Sequence, residues 1–256
     1  MANSGPPALL LVALLALAAP VRAEVPPAAA EHVSYAALDK LPDWRGIWTP
    51  APGGPRSGAG EAPVFKGKYL ATYQDAQRKI RAGEQLKTER ASNCTPPGMP
   101  GIMIQPYDIE FLFTPGRVTI NQEAYMQIRR IFTDGRTPLD DPDPTYNGYS
   151  IGHWEGDTLV VRTTAIKPEL GLFRFGATHS DKLVINERIH LKPGDPNVLQ
   201  IDYTFEDADA LAQPWHQSVA FERHRDLDQI EFVCAENDRN PVDADGDTQF
   251  LDSGKN

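Results

Sequence analysis

The chain has 256 residues, with 35 acidic against 25 basic side chains and a formal net charge of −10. That balance argues against nucleic acid and against anionic membrane surfaces as partners, both of which want clustered Lys and Arg, and a small neutral or cationic partner is easier to accommodate. The length suffices for one sizeable domain with a single core.

The first 23 residues read as a secretory signal peptide. Ala8 to Ala19 is an uninterrupted apolar run, and Val21-Arg22-Ala23 supplies a small-residue cleavage site before Glu24. Its leading segment, MANSGPP, has no Lys or Arg, and no Cys follows the apolar run to accept a lipid. The expectation is an exported protein, periplasmic or extracellular, with no stable membrane insertion once the signal is cleaved. Export makes the two cysteines informative, because thiols in an oxidising compartment tend to pair. A Cys94–Cys234 disulfide is therefore expected. On the chain-entropy model a loop of this length contributes about 4 to 5 kcal/mol, less any strain.

Residues 24–60 are rich in Pro, Gly and Ala, a composition that buries too little apolar surface to repay ordering. Within it, Asp43-Trp44-Arg45-Gly46-Ile47-Trp48 predicts a short Trp-bearing strand packed on the core. Tyr69, Leu70, Tyr73, Ala76, Gln77 and Ile80 recur at helical spacing, predicting one amphipathic helix within Lys66 to Arg90 that ends near Gly83. Cys94 to Met103 is too full of Pro and Gly to be regular and too apolar to be a free linker, so it should lie against the domain.

The period then changes to two. Nine candidate strands follow, separated by turn signals: Ile109 to Phe113, Arg117 to Asn121, Ala124 to Thr133, Tyr149 to Trp154, Thr158 to Thr164, Leu183 to Leu191, Leu199 to Phe205, Ser218 to Arg223 and Gln229 to Cys234. The count predicts a mainly β fold, an antiparallel up-and-down β-barrel of the lipocalin-like kind occupying residues 61–240 as one domain, with a β-sandwich as the alternative. Residues 241–256 form an acidic tail.

Alternation assigns faces, and charged residues on an apolar face are the informative ones. Glu187 shares a face with Leu183, Ile185, Ile189 and Leu191, so it should point inward. Arg130, grouped with Met126, Ile128 and Phe132, is expected to be a second inward charge and to pair with it. His179 sits in a polar loop feeding the Glu187 strand and could act with it in acid–base chemistry. His153 and Trp154 occupy opposite faces of one strand, and with Tyr146 they are candidates for the lining of a ligand site. Glu155-Gly156-Asp157 is turn chemistry. Neither the Asp140, Asp141 and Asp143 group nor the Asp243, Asp245 and Asp247 group follows a calcium-loop pattern, and the six His are scattered, so no metal is expected. With no Gly-rich phosphate loop there is no expected nucleotide cofactor.

Several runs carry a resemblance: Cys94-x-Pro-Pro-Gly-Met-Pro, Arg129-Arg130-Ile131-Phe132-Thr133-Asp134-Gly135-Arg136, Gly152-His153-Trp154-Glu155-Gly156-Asp157-Thr158-Leu159-Val160-Val161, His179-Ser180, Glu187-Arg188 and Pro214-Trp215. Together they resemble a large family of uncharacterised secreted bacterial proteins, over about Trp44 to Asn240. The resemblance implies export and a β-rich, lipocalin-like fold, and no activity. Members tend to carry Asp where Arg162 stands and a different segment at Ala165 to Phe175, so a ligand pocket lined by that loop would differ from theirs.

Three functions are consistent with these residues. The first is an exported lyase, isomerase or hydrolase using His179, Glu187 and Arg130 without a cofactor. The second is a lipocalin-like carrier of a small molecule. The third is an interaction module with a filled interior and an apolar outer patch.

Overall fold

The computed structural model describes residues 34–52, 61–84, 94–168, 170–172 and 176–233. The expected signal peptide, Cys234 and the acidic tail lie outside the described residues.

Nine strands close into one barrel. They are β1 (Ile47–Pro50), β2 (Ile109–Thr114), β3 (Arg117–Gln122), β4 (Ile128–Phe132), β5 (Tyr149–Glu155), β6 (Thr158–Thr164), β7 (Val184–Lys192), β8 (Asp195–Glu206) and β9 (Trp215–His224). Each pairs with the next, and β9 pairs with β1. Strands that simply alternate in direction can close only in even numbers, so a ring of nine requires one parallel pair. That pair is β4–β5, with Ile131 opposite Ser150 and Phe132 opposite Ile151. Residues 133–148, the acidic proline-spaced stretch, are the return that makes it possible. They carry the chain from one end of the barrel back to the other.

The two ends are built differently. At one, which we call the turn end, β2–β3, β5–β6 and β7–β8 are joined by tight turns through Gly116, Gly156 and Gly194, all at positive φ. The other, the loop end, receives every long connection. It is packed by Phe65, Met99, Ile102, Ile166, Leu170 and Leu211, all buried. Cys94 to Met103 therefore does lie against the domain, anchored by the Met99 N–H donating to Tyr146 O at 2.8 Å.

Two α-helices are present among the described residues, α1 (Tyr35–Leu38) and α2 (Gly67–Arg81). The predicted amphipathic helix is α2, closing at Ala82 just before Gly83. Its Tyr73 ring packs on Phe65 at 5.0 Å, while Asp75 pairs with Lys79 and Arg78 on the solvent side.

Two strand expectations need correction. Ala124 to Thr133 is not one strand: Tyr125 and Met126 have positive φ in a short 3-10 turn, and β4 begins only at Ile128. The last expected strand is also absent over its described part. Gln229 to Phe232 instead lies along the outside, with Gln229 Nε2 donating to Asp108 O at 3.0 Å and Phe232 against Tyr107 at 4.5 Å. The ninth strand is β1, which closes the ring between β9 and β2.

Candidate functional site

The restart at Ile128 shifts the register of β4 by one residue, and a one-residue shift exchanges the faces of a strand. Met126 and Ile128 are exposed, and so is Arg130, whereas Arg129 and Ile131 face inward. The inward partner of Glu187 is thus Arg129, and the expected Arg130–Glu187 pair is not formed. Glu187 itself points inward, as its alternation predicts, between Ile185 and Ile189.

Around that pair runs a polar belt at mid-height, built from one residue on each of five consecutive strands: Arg129, Ser150, Thr163, Glu187 and Tyr203. Arg129 grips Glu187 with both terminal nitrogens, Nη1 to Oε1 at 2.9 Å and Nη2 to Oε2. Nη2 also donates to Thr163 Oγ1 at 3.0 Å and to Ser150 Oγ at 3.3 Å. The two hydroxyls are 2.8 Å apart, and Thr163 Oγ1 reaches Glu187 Oε2 at 3.4 Å. Burial works against the charge on Arg129, but the adjacent Glu187 carboxylate holds the guanidinium above its ordinary value. Tyr203, directly opposite Glu187 across the β7–β8 ladder, is pushed well above the usual phenol range by burial and then by the Glu187 carboxylate. The side chains of Arg129 and Glu187 are 1% and 0% exposed, so the acid and its partner are spent on one another.

His179 belongs to a different structure. It is buried in the loop between β6 and β7, with Nδ1 donating to Ser180 O at 2.7 Å. Next to it, the Asp207 carboxylate accepts from Ser180 N and Ser180 Oγ, both at 2.7 Å, and from the N–H groups of Asp209 and Ala210. Burial raises the cost of that charge, and the four donors outweigh it and hold Asp207 below its ordinary value. This clamp ties the β6–β7 loop to the β8–β9 loop at the loop end.

The remaining sequence candidates separate as well. Tyr146 lies at the loop end, with Lys167 Nζ over its ring at 4.6 Å. His153 is exposed on the outer wall, where Nε2 meets Glu155 Oε1 at 3.2 Å and Arg188 pairs with the same carboxylate. His153 and Tyr146 therefore do not line one mouth. Trp154 faces inward at the turn end and joins an aromatic group with Trp44 at 5.3 Å and Phe113 at 5.7 Å.

That aromatic group marks a feature missed by reading strands alone. The segment entering β1 crosses the turn end and inserts Trp44 into the barrel mouth, against Phe111 at 5.1 Å and Phe113 at 5.6 Å. Trp44 O accepts the Trp48 indole N–H at 3.0 Å. Gly46 follows at φ 111, and a Cβ there would sit 2.7 Å from His224 O, so only glycine lets the segment run this close to β9. Beside Trp44 opens a half-enclosed cleft of about 450 Å³, walled by Leu38, Leu41, Pro42, Phe111, Leu112 and Phe113, with Asp39, Asp43 and Arg45 at its rim.

Asp43 is the centre of the rim charges. Its carboxylate receives Arg45 Nε at 2.7 Å and Arg225 Nη2 at 3.2 Å, with Arg223 Nη1 at 3.5 Å. The Arg45 hydrogen bond leads the effects that hold Asp43 far below the usual carboxylate range. Signals for this cluster were present as residue types, but its members are some 180 positions apart and meet only through β1–β9 pairing.

Among the described residues no group of His, Cys, Asp and Glu has the arrangement of a metal centre. No protein-family model matches the chain, and a search of curated proteins returns no match.

Proposed function

We propose that this chain is an exported small-molecule binding protein whose ligand occupies the cleft at the turn end of the barrel. The observation that carries the proposal is the cleft itself: an aromatic and aliphatic pocket, within the roughly 300 to 1,000 Å³ typical of small-ligand sites, lined by Trp44 with an indole N–H that is buried and has no acceptor among the described residues. Burying such a donor without a partner costs on the order of 1 to 3 kcal/mol, and a ligand acceptor would offset it.

The acid–base reading finds less support. Its three residues fall into three environments: Glu187 inside the wall, Arg130 outside it, and His179 in the loop-end clamp. The charged outer wall, with Arg188–Glu155 and Arg162–Asn186–Glu206 contacts, suits a barrel surrounded by water. Export and the Cys94–Cys234 bridge belong to the same proposal. Mass spectrometry of the exported protein should find Glu24 at the amino terminus, and a reductant should lower the melting temperature.

The test of the binding reading is a fluorescence titration of the full mature chain with a neutral apolar probe, N-phenyl-1-naphthylamine. Saturable binding at one site is expected. It should be lost in Leu112→Trp, which fills the cleft wall at a residue 42% exposed and so leaves the core intact. Unsaturable binding, or binding indifferent to that substitution, would contradict the proposal.

A further inference from the structure

Resting on the reading of this cleft as a binding site, we infer that its ligand is a small aromatic anion: a flat ring system carrying a carboxylate-like group that seats at the arginine rim. The walls set the apolar part. Trp44 and Phe111, 1% and 5% exposed, form a packed aromatic floor, and the accessible wall above it is supplied by Phe113, Leu112, Leu38 and Leu41, an apolar surface suited to a flat partner.

The rim sets the charge. Arg45 lines the cleft, Arg223 and Arg225 reach the same Asp43 from the end of β9, and Asp39 is the other carboxylate lining the cleft. Three guanidiniums against two carboxylates leave an excess of one positive charge, in a chain whose net charge is −10. Asp43 is already engaged by all three arginines, so a cationic ligand would have to compete with them for it. An anion would instead relieve their mutual repulsion.

Arg223 is the buried member of this group. Its side chain is 2% exposed, stacked 4.5 Å from the Trp48 ring, with Nη2 donating to Asp43 O at 2.6 Å. Its Nε has no acceptor among the described residues. Burial first, then Arg225 and Arg45, pull the guanidinium below its ordinary value against the pull of Asp43. The Trp44 indole N–H, in the cleft floor, is likewise buried without an acceptor among the described residues. An anionic group seated at the rim would meet Arg45, the guanidinium that lines the cleft, with Arg223 and Arg225 behind it.

The neighbouring cleft at the same end, about 530 Å³ and bordered by Pro42, Asp157, His190, Lys192 and Asp195, has a different character. There His190 is already held between Leu191 O at 3.0 Å and Asp202 Oδ2 at 3.1 Å. The overall negative charge of the chain favours neutral or cationic partners, and the rim reverses that preference locally.

Two probes that share a ring system separate the charge from the cleft: 1-anilinonaphthalene-8-sulfonate, an anion, and N-phenyl-1-naphthylamine, its neutral counterpart. The anion is expected to bind the mature chain about tenfold more tightly at low salt, with the advantage shrinking as ionic strength rises. Arg45→Gln combined with Arg225→Gln should collapse the ratio of the two affinities. Both side chains are largely exposed, so folding should survive, and Arg45→Gln alone provides a milder second variant. Equal affinities, or a ratio unmoved by these variants, would overturn the anion inference while leaving the cleft reading in place. Failure of both probes to bind saturably would overturn both.

Discussion

Arg129 and Arg223 are both arginines with almost no exposed side chain, and their guanidiniums are displaced in opposite directions: Arg129 is raised and Arg223 lowered from the ordinary value. Burial opposes the charge on each, so the difference comes from the neighbours. Arg129 meets one carboxylate in two-pronged geometry, its Nη2 also donates to two hydroxyls, and only its Nε has no acceptor among the described residues. Arg223 shares one carboxylate with two other arginines. The first arrangement matches one guanidinium to one carboxylate and is closed to solvent, which is how a buried ion pair serves a fold. The second carries surplus charge beside an open cleft, which is how a site awaits a partner.

The sharpest way to break this comparison is to remove the same charge from each. Arg129→Met leaves Glu187 buried and alone, and should cost about 3 to 5 kcal/mol in denaturant unfolding. The double variant Arg129→Met, Glu187→Leu should recover most of that loss, since an apolar pair replaces the ion pair. Arg223→Met should cost about 1 kcal/mol, chiefly its stacking on Trp48, because Asp43 keeps Arg45 and Arg225. Comparable losses at the two positions would remove the distinction.

Gly46→Ala should come next, at about 1 to 3 kcal/mol, through a strained φ and the collision with His224 O. It should also weaken probe binding, because the strain falls on the segment that places Trp44. Unchanged stability would mean that the approach to β9 is loose.

Asp43 offers a smaller, pH-dependent handle. Its folded value lies below the ordinary 3.8, so its stabilising effect is complete above that value and is lost as pH falls toward the lowered one. In Asp43→Asn the melting temperature should depend less steeply on pH below about 4. The amplitude should be small, under about 1 kcal/mol, because the pair is substantially exposed and screened by salt.

Tyr203 gives the subtlest signal. A raised folded value means that the phenol keeps its proton where exposed tyrosines ionise, and its contribution is present below the ordinary value of 10.0 and lost as pH rises past it toward the raised one. Alkaline titration followed by phenolate absorbance should show Tyr203 ionising only as the barrel unfolds, and Tyr203→Phe should remove that late step.

Much of the barrel was legible because its strands alternate cleanly. Val184 to Leu191 and Leu199 to Phe205 read their inward sets directly, and Glu187 was placed correctly for that reason. The β4 error has an equally specific cause. Arg129 and Arg130 are chemically identical neighbours, so alternation alone cannot say which turns inward, and the deciding feature is the left-handed backbone at Tyr125 and Met126, two non-glycine residues with no sequence signature for it. Reading the face back from Ile131 instead of Phe132 would have selected Arg129. The β1 strand was visible through Trp44 and Trp48, but not its role in closing the ring, which depends on pairing with residues 221–224. For the same reason the rim cluster could not be read: Asp43, Arg223 and Arg225 are assembled by closure. His179 shows the opposite case, since a polar loop composition signals either a clamp or a catalytic group and only the position of Asp207 distinguishes them.

The central claim is that binding happens at Trp44 and not at the polar belt or the loop end. The chain has four tryptophans, so the indole N–H region of a nitrogen–proton correlation spectrum is a sparse map of the barrel. Trp48 and Trp215 already donate, to Trp44 O and Glu61 O respectively. On titration with 1-anilinonaphthalene-8-sulfonate, the Trp44 indole resonance should shift most, as its N–H gains an acceptor, while that of Trp215 at the loop end stays in place. A shift at Trp215 with Trp44 unmoved would contradict the account.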